Sequence, residues 1–235
     1  MKITTVLFDL DGTLLPMDQE TFIKAYFGGL ARKMQPHGYD SKALVDAIRS
    51  GTQAMIANTG ERMNEEVFWD VFNNVLGREI GDDSKYFDEF YENDFCKVRE
   101  SCGYNSKAAE SVLKIKAQGF RVALATNPFF PSTATEQRIS WTGLAANEFE
   151  LYTTYENSHF CKPNPDYYRE VIEKLGVMPE ECLMVGNDVG EDMIAKKLGM
   201  KVFLITDCLI NRNNEDISKY PHGTFDELDQ FVKTL

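Results

Sequence analysis

The chain has 235 residues, enough for one large domain or a core with an insertion, and 43% hydrophobic with 26% charged content is the composition of a soluble globular protein. Twenty-five basic against 37 acidic residues give a net charge of −12, which argues against nucleic acid or an anionic membrane surface as a partner. The same charge repels phosphorylated molecules unless a cation and a local lysine reverse the field inside a pocket.

The first element in chain order is the apolar, β-branched run Ile3–Phe8, which reads as a buried strand. It stops at Asp9-Leu10-Asp11-Gly12-Thr13. Two carboxylates one residue apart behind an apolar strand are costly unless a cation, hydrogen bonds or water meets them, and in an open α/β sheet the carboxyl end of a strand is where ligands bind. On spacing alone both aspartates also suit a tight turn, with Gly12 supplying the unusual dihedrals. From Met17 to Tyr104 no convincing strand occurs. Asp18 caps a helix with the stripe Ile23, Tyr26, Phe27, Leu30 and Met34; Asn64 caps another carrying Val67, Phe68, Val71, Phe72 and Val75; a third holds Phe87, Phe90, Tyr91 and Phe95.

Strand–helix alternation begins at Ser106. A helix with Ala108, Val112 and Ile115 on one face leads to a strand over Phe120–Ala125, and Glu150–Thr154 forms a short third strand. Asn164-Pro165 opens a helix with the stripe Tyr168, Val171, Ile172 and Leu175, stopped by Gly176. Cys182–Val185 is the next strand, followed by a helix with Ile194, Ala195 and Leu198, a last buried strand at Lys201–Ile205, and a closing helix announced by the capping box Thr224-x-x-Glu227. The expected fold is α/β: a doubly wound, Rossmann-like, mostly parallel sheet with an inserted all-helical region. The core comprises residues 1–16 and 105–235, the insertion 17–104.

No apolar run approaches the roughly 18 residues of a membrane span, and Asp9 and Asp11 interrupt the only candidate signal-peptide core. The five cysteines are odd in number without a C-x-x-C pair, and His37, His159 and His222 are far apart, so a structural zinc site is not expected. A cytoplasmic protein with reduced thiols is expected.

Four segments stand at strand ends or in loops: Asp9-Leu10-Asp11-Gly12-Thr13, Leu124-Ala125-Thr126-Asn127, Cys161-Lys162-Pro163-Asn164-Pro165 and Val185-Gly186-Asn187-Asp188-Val189-Gly190-Glu191-Asp192. Together and in this order they resemble the four motifs of the haloacid dehalogenase-like (HAD) hydrolase superfamily, and the helical insertion resembles its C1-type cap. The resemblance implies a Mg²⁺-dependent phosphohydrolase acting on a small phosphorylated metabolite through an aspartyl-phosphate. Asp9 would be the nucleophile and a metal ligand. Asp11 would be the general acid and base, with its backbone carbonyl on the metal. Thr126 and Asn127 would hold the phosphoryl oxygens, and Lys162 would supply a fixed positive charge. A second carboxylate at Asp11 points to phosphoryl transfer, because a departing halide needs no proton.

The fourth motif departs from the commoner family form, in which the glycine is followed immediately by aspartate; here Asn187 stands there and Asp188 follows. Either Asp188 supplies the metal carboxylate, with Asp192 bracing Lys162 or a metal water, or Asn187 coordinates through its amide oxygen. Charge favours Asp188. A sugar phosphomutase shares the same intermediate, a phosphonate hydrolase would need a Schiff-base lysine from Lys24, Lys33, Lys42, Lys85 or Lys97, and a phosphate-binding module would need no general acid. Candidate specificity segments are Asn58–Arg62 and Pro128–Pro131.

Overall fold

The computed structural model describes residues 2–235. Its centre is a five-stranded parallel sheet of order β2-β1-β3-β4-β5, with β1 Thr5–Phe8, β2 Arg121–Leu124, β3 Cys182–Gly186, β4 Lys201–Ile205 and β5 His222–Gly223. Strand residues alternate between the two faces. Val6, Phe8, Val122, Leu124, Leu183, Val185, Phe203 and Ile205 pack with helices α5 (Ser106–Ala117) and α8 (Phe225–Val232). Leu7, Ala123, Met184, Val202 and Leu204 pack on the other face against α7 (Pro165–Leu175). Burial on both faces explains why these strands read as continuous apolar runs.

The region between β1 and α5 is helical, with α1 Gln19–Met34, α2 Ser41–Ile56, α3 Asn64–Leu76, α4 Ser84–Glu89 and a succession of short turns to Ser101. It has its own aromatic core, including Phe22, Tyr26, Phe68, Phe72, Phe87, Phe90 and Phe95. The chain enters and leaves it side by side: Met17 bridges Cys102, and the Gly103 amide donates to the Pro16 carbonyl at 2.6 Å. Met17, Cys102 and Trp141, at the end of α6 (Ser132–Trp141), pack against both this core and the sheet core.

Asp18 caps α1 as expected, accepting from the Thr21 amide at 2.9 Å, and Asn164, Pro165 and Gly176 bound α7. Several expectations are revised. Tyr26, Leu30 and Met34 of the α1 stripe are buried as expected, but Phe22 takes the place of Ile23, which is 42% exposed. Asn64 is the first residue of α3, not its cap; Met63 precedes the helix, and the Asn64 side chain is buried elsewhere. Glu150–Thr154 is reduced to a single bridge, Leu124 to Tyr152, because the chain curls at Tyr155–Asn157 and the Thr153 hydroxyl turns to the Thr126 carbonyl. The segment around Ile194 is a 3₁₀ turn, Met193–Leu198, confined between the Asp188–Asp192 turn and Gly199, whose φ of +99° ends it. Strand β5, two residues long, carries no periodic signal.

Candidate active site

The parallel ladders bring the ends of β1, β2 and β3 together, and with them Asp9, Thr126 and Asp188, at the sheet's carboxyl edge. The Asp9 amide still donates to the Val185 carbonyl at 2.9 Å, so its backbone is fixed by the sheet. The chain then turns sharply through Gly12, whose φ is +85°; a Cβ there would lie 2.4 Å from Asn187 Nδ2.

Lys162 reaches this edge from the loop before α7. Its ammonium, fully buried, donates to Asp9 Oδ1 at 2.8 Å and Asp192 Oδ1 at 2.7 Å. The Lys162 backbone is held by Asn127, which accepts from its amide at 3.2 Å and donates to its carbonyl at 3.4 Å. Burial opposes the charge on Lys162, but the Asp192 and Asp9 carboxylates outweigh it and hold the ammonium well above its usual range. Two carboxylates share that single cation. Burial therefore pushes Asp192 up, with Asp9 adding to the shift. Asp192 Oδ2 also accepts from the Asp188 amide at 2.9 Å, tying Lys162 to the fourth motif. The Thr13 hydroxyl lies 3.0 Å from Asp9 Oδ2 and 2.9 Å from Asn187 Oδ1.

The other two acids face arginines. Asp11 pairs with Nη1 of Arg138 from α6, a fully buried guanidinium that also donates to Thr135 Oγ1 at 3.1 Å and lies 4.4 Å from the Phe130 ring centre. Burial raises the Asp11 pKa; Arg138 pulls it back without cancelling the rise, and the Asp9 carboxylate adds to it. Asp188 Oδ1 accepts from the Gly190 and Glu191 amides at 2.8 and 3.0 Å, and its Oδ2 pairs with Arg212. Asn187 is committed differently: its amide donates to the Cys208 carbonyl at 2.6 Å.

Asp9, Asp11, Thr126, Asn127 and Asp188 all line one cavity of about 640 Å³, whereas Lys162 lies behind its wall. Phe129 and Phe130 line it as well. No residue of Asn58–Arg62 does, nor does any of the five lysines weighed as Schiff-base candidates. Among the described residues, no three acidic, histidine or cysteine side chains converge into a ready-made metal cage. The donor set nevertheless fits a hard cation that takes few protein ligands and keeps several waters: the available donors are oxygens, and carboxylates outnumber cations along the cavity.

Arg138, Thr13 and Arg212 escaped sequence reasoning. Thr13 sits inside the first motif, where its hydroxyl was the available signal. Arg138 lies mid-helix, where an arginine ordinarily reads as solvated surface.

The family model for haloacid dehalogenase-like hydrolases matches residues 3–206. The pyrophosphatase PpaX of Bacillus cereus is 26% identical over 210 residues, covering 88% of this chain and 84% of that protein. Among solved structures, a HAD phosphatase from Thermococcus onnurineus superposes with a TM-score of 0.59 at 21% identity, covering 99% of this chain and 98% of that one. The putative HAD-hydrolase YfnB from Bacillus subtilis, bound to magnesium, gives 0.55 at 19% identity with 99% of each chain covered. At these identities the structures speak to the fold.

Proposed function

The chain belongs to the haloacid dehalogenase-like hydrolases and is phosphatase-like, and from that premise we propose that it is a Mg²⁺-dependent phosphomonoester hydrolase working through an aspartyl-phosphate on Asp9. The observation that carries this reading is the pairing of Asp9 with the buried Lys162, on a cavity wall that also holds a second carboxyl group, Asp11.

In the first step the Asp9 carboxylate attacks phosphorus and the ester P–O bond breaks, while Asp11 gives its proton to the departing alcohol oxygen. Burial shifts the Asp11 pKa upward, the direction a proton donor needs. In the second step Asp11 takes a proton from water, whose oxygen attacks phosphorus. The Asp9–phosphorus bond breaks, releasing phosphate and restoring both carboxyl groups. Lys162 orients Asp9 throughout, and the Thr126 and Asn127 strand end receives the phosphoryl oxygens.

Asp9, the Asp11 carbonyl and Asp188 would hold Mg²⁺, which neutralises phosphoryl oxygens when bound. Asn187 is the poorer ligand because it carries no charge; the side chains of both residues already hold hydrogen bonds, Asn187 to Thr13 and Cys208 and Asp188 to the Gly190 and Glu191 amides. Residues 17–104 form the cap in this reading and close over the leaving group; the adjacent crossings at Pro16–Met17 and Cys102–Gly103 suit a hinge.

Release of inorganic phosphate from a panel of phosphomonoesters, with and without Mg²⁺, tests the reading. Asp9→Asn should lower turnover by at least ~10³-fold while remaining folded. Near wild-type rates in that variant would exclude the covalent route.

A further inference from the structure

The cavity beside Asp9 is much larger than a phosphoryl group needs. Its volume of about 640 Å³ is that of a site for a drug-sized molecule, whereas one water occupies ~30 Å³ of liquid and a phosphate only a few times that. Away from the carboxylates the lining is dominated by aromatic rings: Phe22, Tyr26 and Phe27 on α1, Trp69 on α3, and Phe129 and Phe130 after β2. They brace one another edge to face, with Tyr26 and Phe130 at 5.2 Å between ring centres and Phe22 and Phe130 at 6.0 Å.

Key polar groups of this wall are already partnered. The Tyr26 and Tyr91 hydroxyls bond to each other at 2.7 Å, and the Thr52 hydroxyl donates to the Ile48 carbonyl at 2.9 Å. The cations lining the cavity, among the described residues, are Arg212, held by Asp188, and the exposed Arg49, 5.6 Å from the Phe27 ring centre. Beyond Gln19 and Gln53, sugar hydroxyls in this space would find few partners, and each buried without one costs roughly tenfold or more in affinity.

We infer that the substrate is a phosphate monoester of a bulky, ring-bearing alcohol, its phosphate at Asp9 and its ring system in the aromatic cleft. This inference rests on the phosphatase reading above and narrows it. Ring edges and faces select an aromatic body over an equally apolar aliphatic one.

The test is a series of primary-alcohol esters in which the chemistry at phosphorus is constant and only the body grows: ethyl, 2-phenylethyl and 2-(2-naphthyl)ethyl phosphate. With Mg²⁺, kcat/KM should rise by ~30-fold for the first ring and further for the second, above inorganic pyrophosphate and glucose 6-phosphate. Thr52→Trp, which fills the cleft from α2, should collapse the naphthylethyl-to-ethyl ratio toward one. The Asp9→Asn variant, which does not turn over, should bind naphthylethyl phosphate at least ~100-fold more tightly than ethyl phosphate by calorimetry. A flat series, or pyrophosphate or the sugar phosphate as the better substrate, overturns the inference and leaves the phosphatase reading standing. Ring-dependent binding without hydrolysis of any ester would instead overturn the phosphatase reading.

Discussion

Asp11 and Arg138 show how much of this site depends on one contact. The guanidinium does not line the cavity, so it acts on the reaction only through the carboxyl group it holds. Arg138→Met should lower kcat while changing KM little, because it touches no substrate. It should also cost about 1–2 kcal/mol of stability by removing the partner of Asp11 and of the Thr135 hydroxyl, which urea unfolding measures. Arg138→Lys should restore part of the stability but not the rate, since a point charge cannot reproduce the planar contact shared with Thr135. At the fourth motif, Asp188→Ala should raise the Mg²⁺ concentration for half-maximal rate by at least ~10-fold, as a full charge is lost from the cation's surroundings. Asn187→Ala should mainly cost stability, about 1–2 kcal/mol, by stranding the Cys208 carbonyl and leaving the Thr13 hydroxyl to Asp9 alone. A larger Mg²⁺ effect for Asn187→Ala would move the ligand assignment by one residue. Asp9, Thr126, Lys162 and Asp188 were legible because each sits in a short consecutive motif at a strand end or loop. Arg138 was not: its partner is 127 positions away, and nothing local marks its burial.

At the scale of elements, α7 matters because it anchors the loop that delivers Lys162. Glu170 accepts from the His159 amide at 3.0 Å and from Lys174 Nζ at 2.9 Å, and its Oε1 lies 2.8 Å from His159 Nδ1. Burial pushes the Glu170 carboxyl up, but the hydrogen bonds from Lys174 and His159 outweigh it and lower its pKa below the ordinary 4.5. A carboxylate favoured in the folded state stabilises the protein above pH 4.5, and that stability fades as pH falls through the lowered value. Glu170→Gln should therefore cost about 1–2 kcal/mol at pH 7, and the gap from wild type should close below pH 4.5; paired urea titrations at pH 7 and in that acid range check it. Helices α1, α5, α7 and α8 and the fully buried strands were readable from periodicity; α2, though 16 residues long and capped by Asp40, was not singled out. The burial of Phe22 instead of Ile23 on α1, the curled Glu150–Thr154 segment and the brief β5 were not readable, because there tertiary contacts, not local pattern, decide the outcome.

For the molecule as a whole, the question is how the helical region communicates with Lys162. One tie is specific. Asn64, fully buried at the start of α3, donates its amide to the Phe160 carbonyl and Cys161 Sγ, both at 3.4 Å, and accepts from Asn58 at 3.0 Å. Its backbone amide donates to the Ser158 carbonyl at 2.9 Å. Gly60 lies so close to the Phe160 ring that an added Cβ would come within 2.3 Å of it. The α2–α3 loop thus grips the segment immediately before Lys162, at a different place from the Met17–Cys102 crossing. A helical region held only at that crossing would move without disturbing Lys162; one that also grips Phe160 and Cys161 cannot shift there without pulling on the lysine's loop. Asn64→Ala should strip this grip, costing about 2 kcal/mol in urea unfolding through the partners left unpaired, and should lower kcat by roughly tenfold as Lys162 loses its fixed position against Asp9. Asn64→Ala with a reduced midpoint but an unchanged kcat would show that the tie serves folding alone, and that the two parts of the molecule reach Lys162 independently.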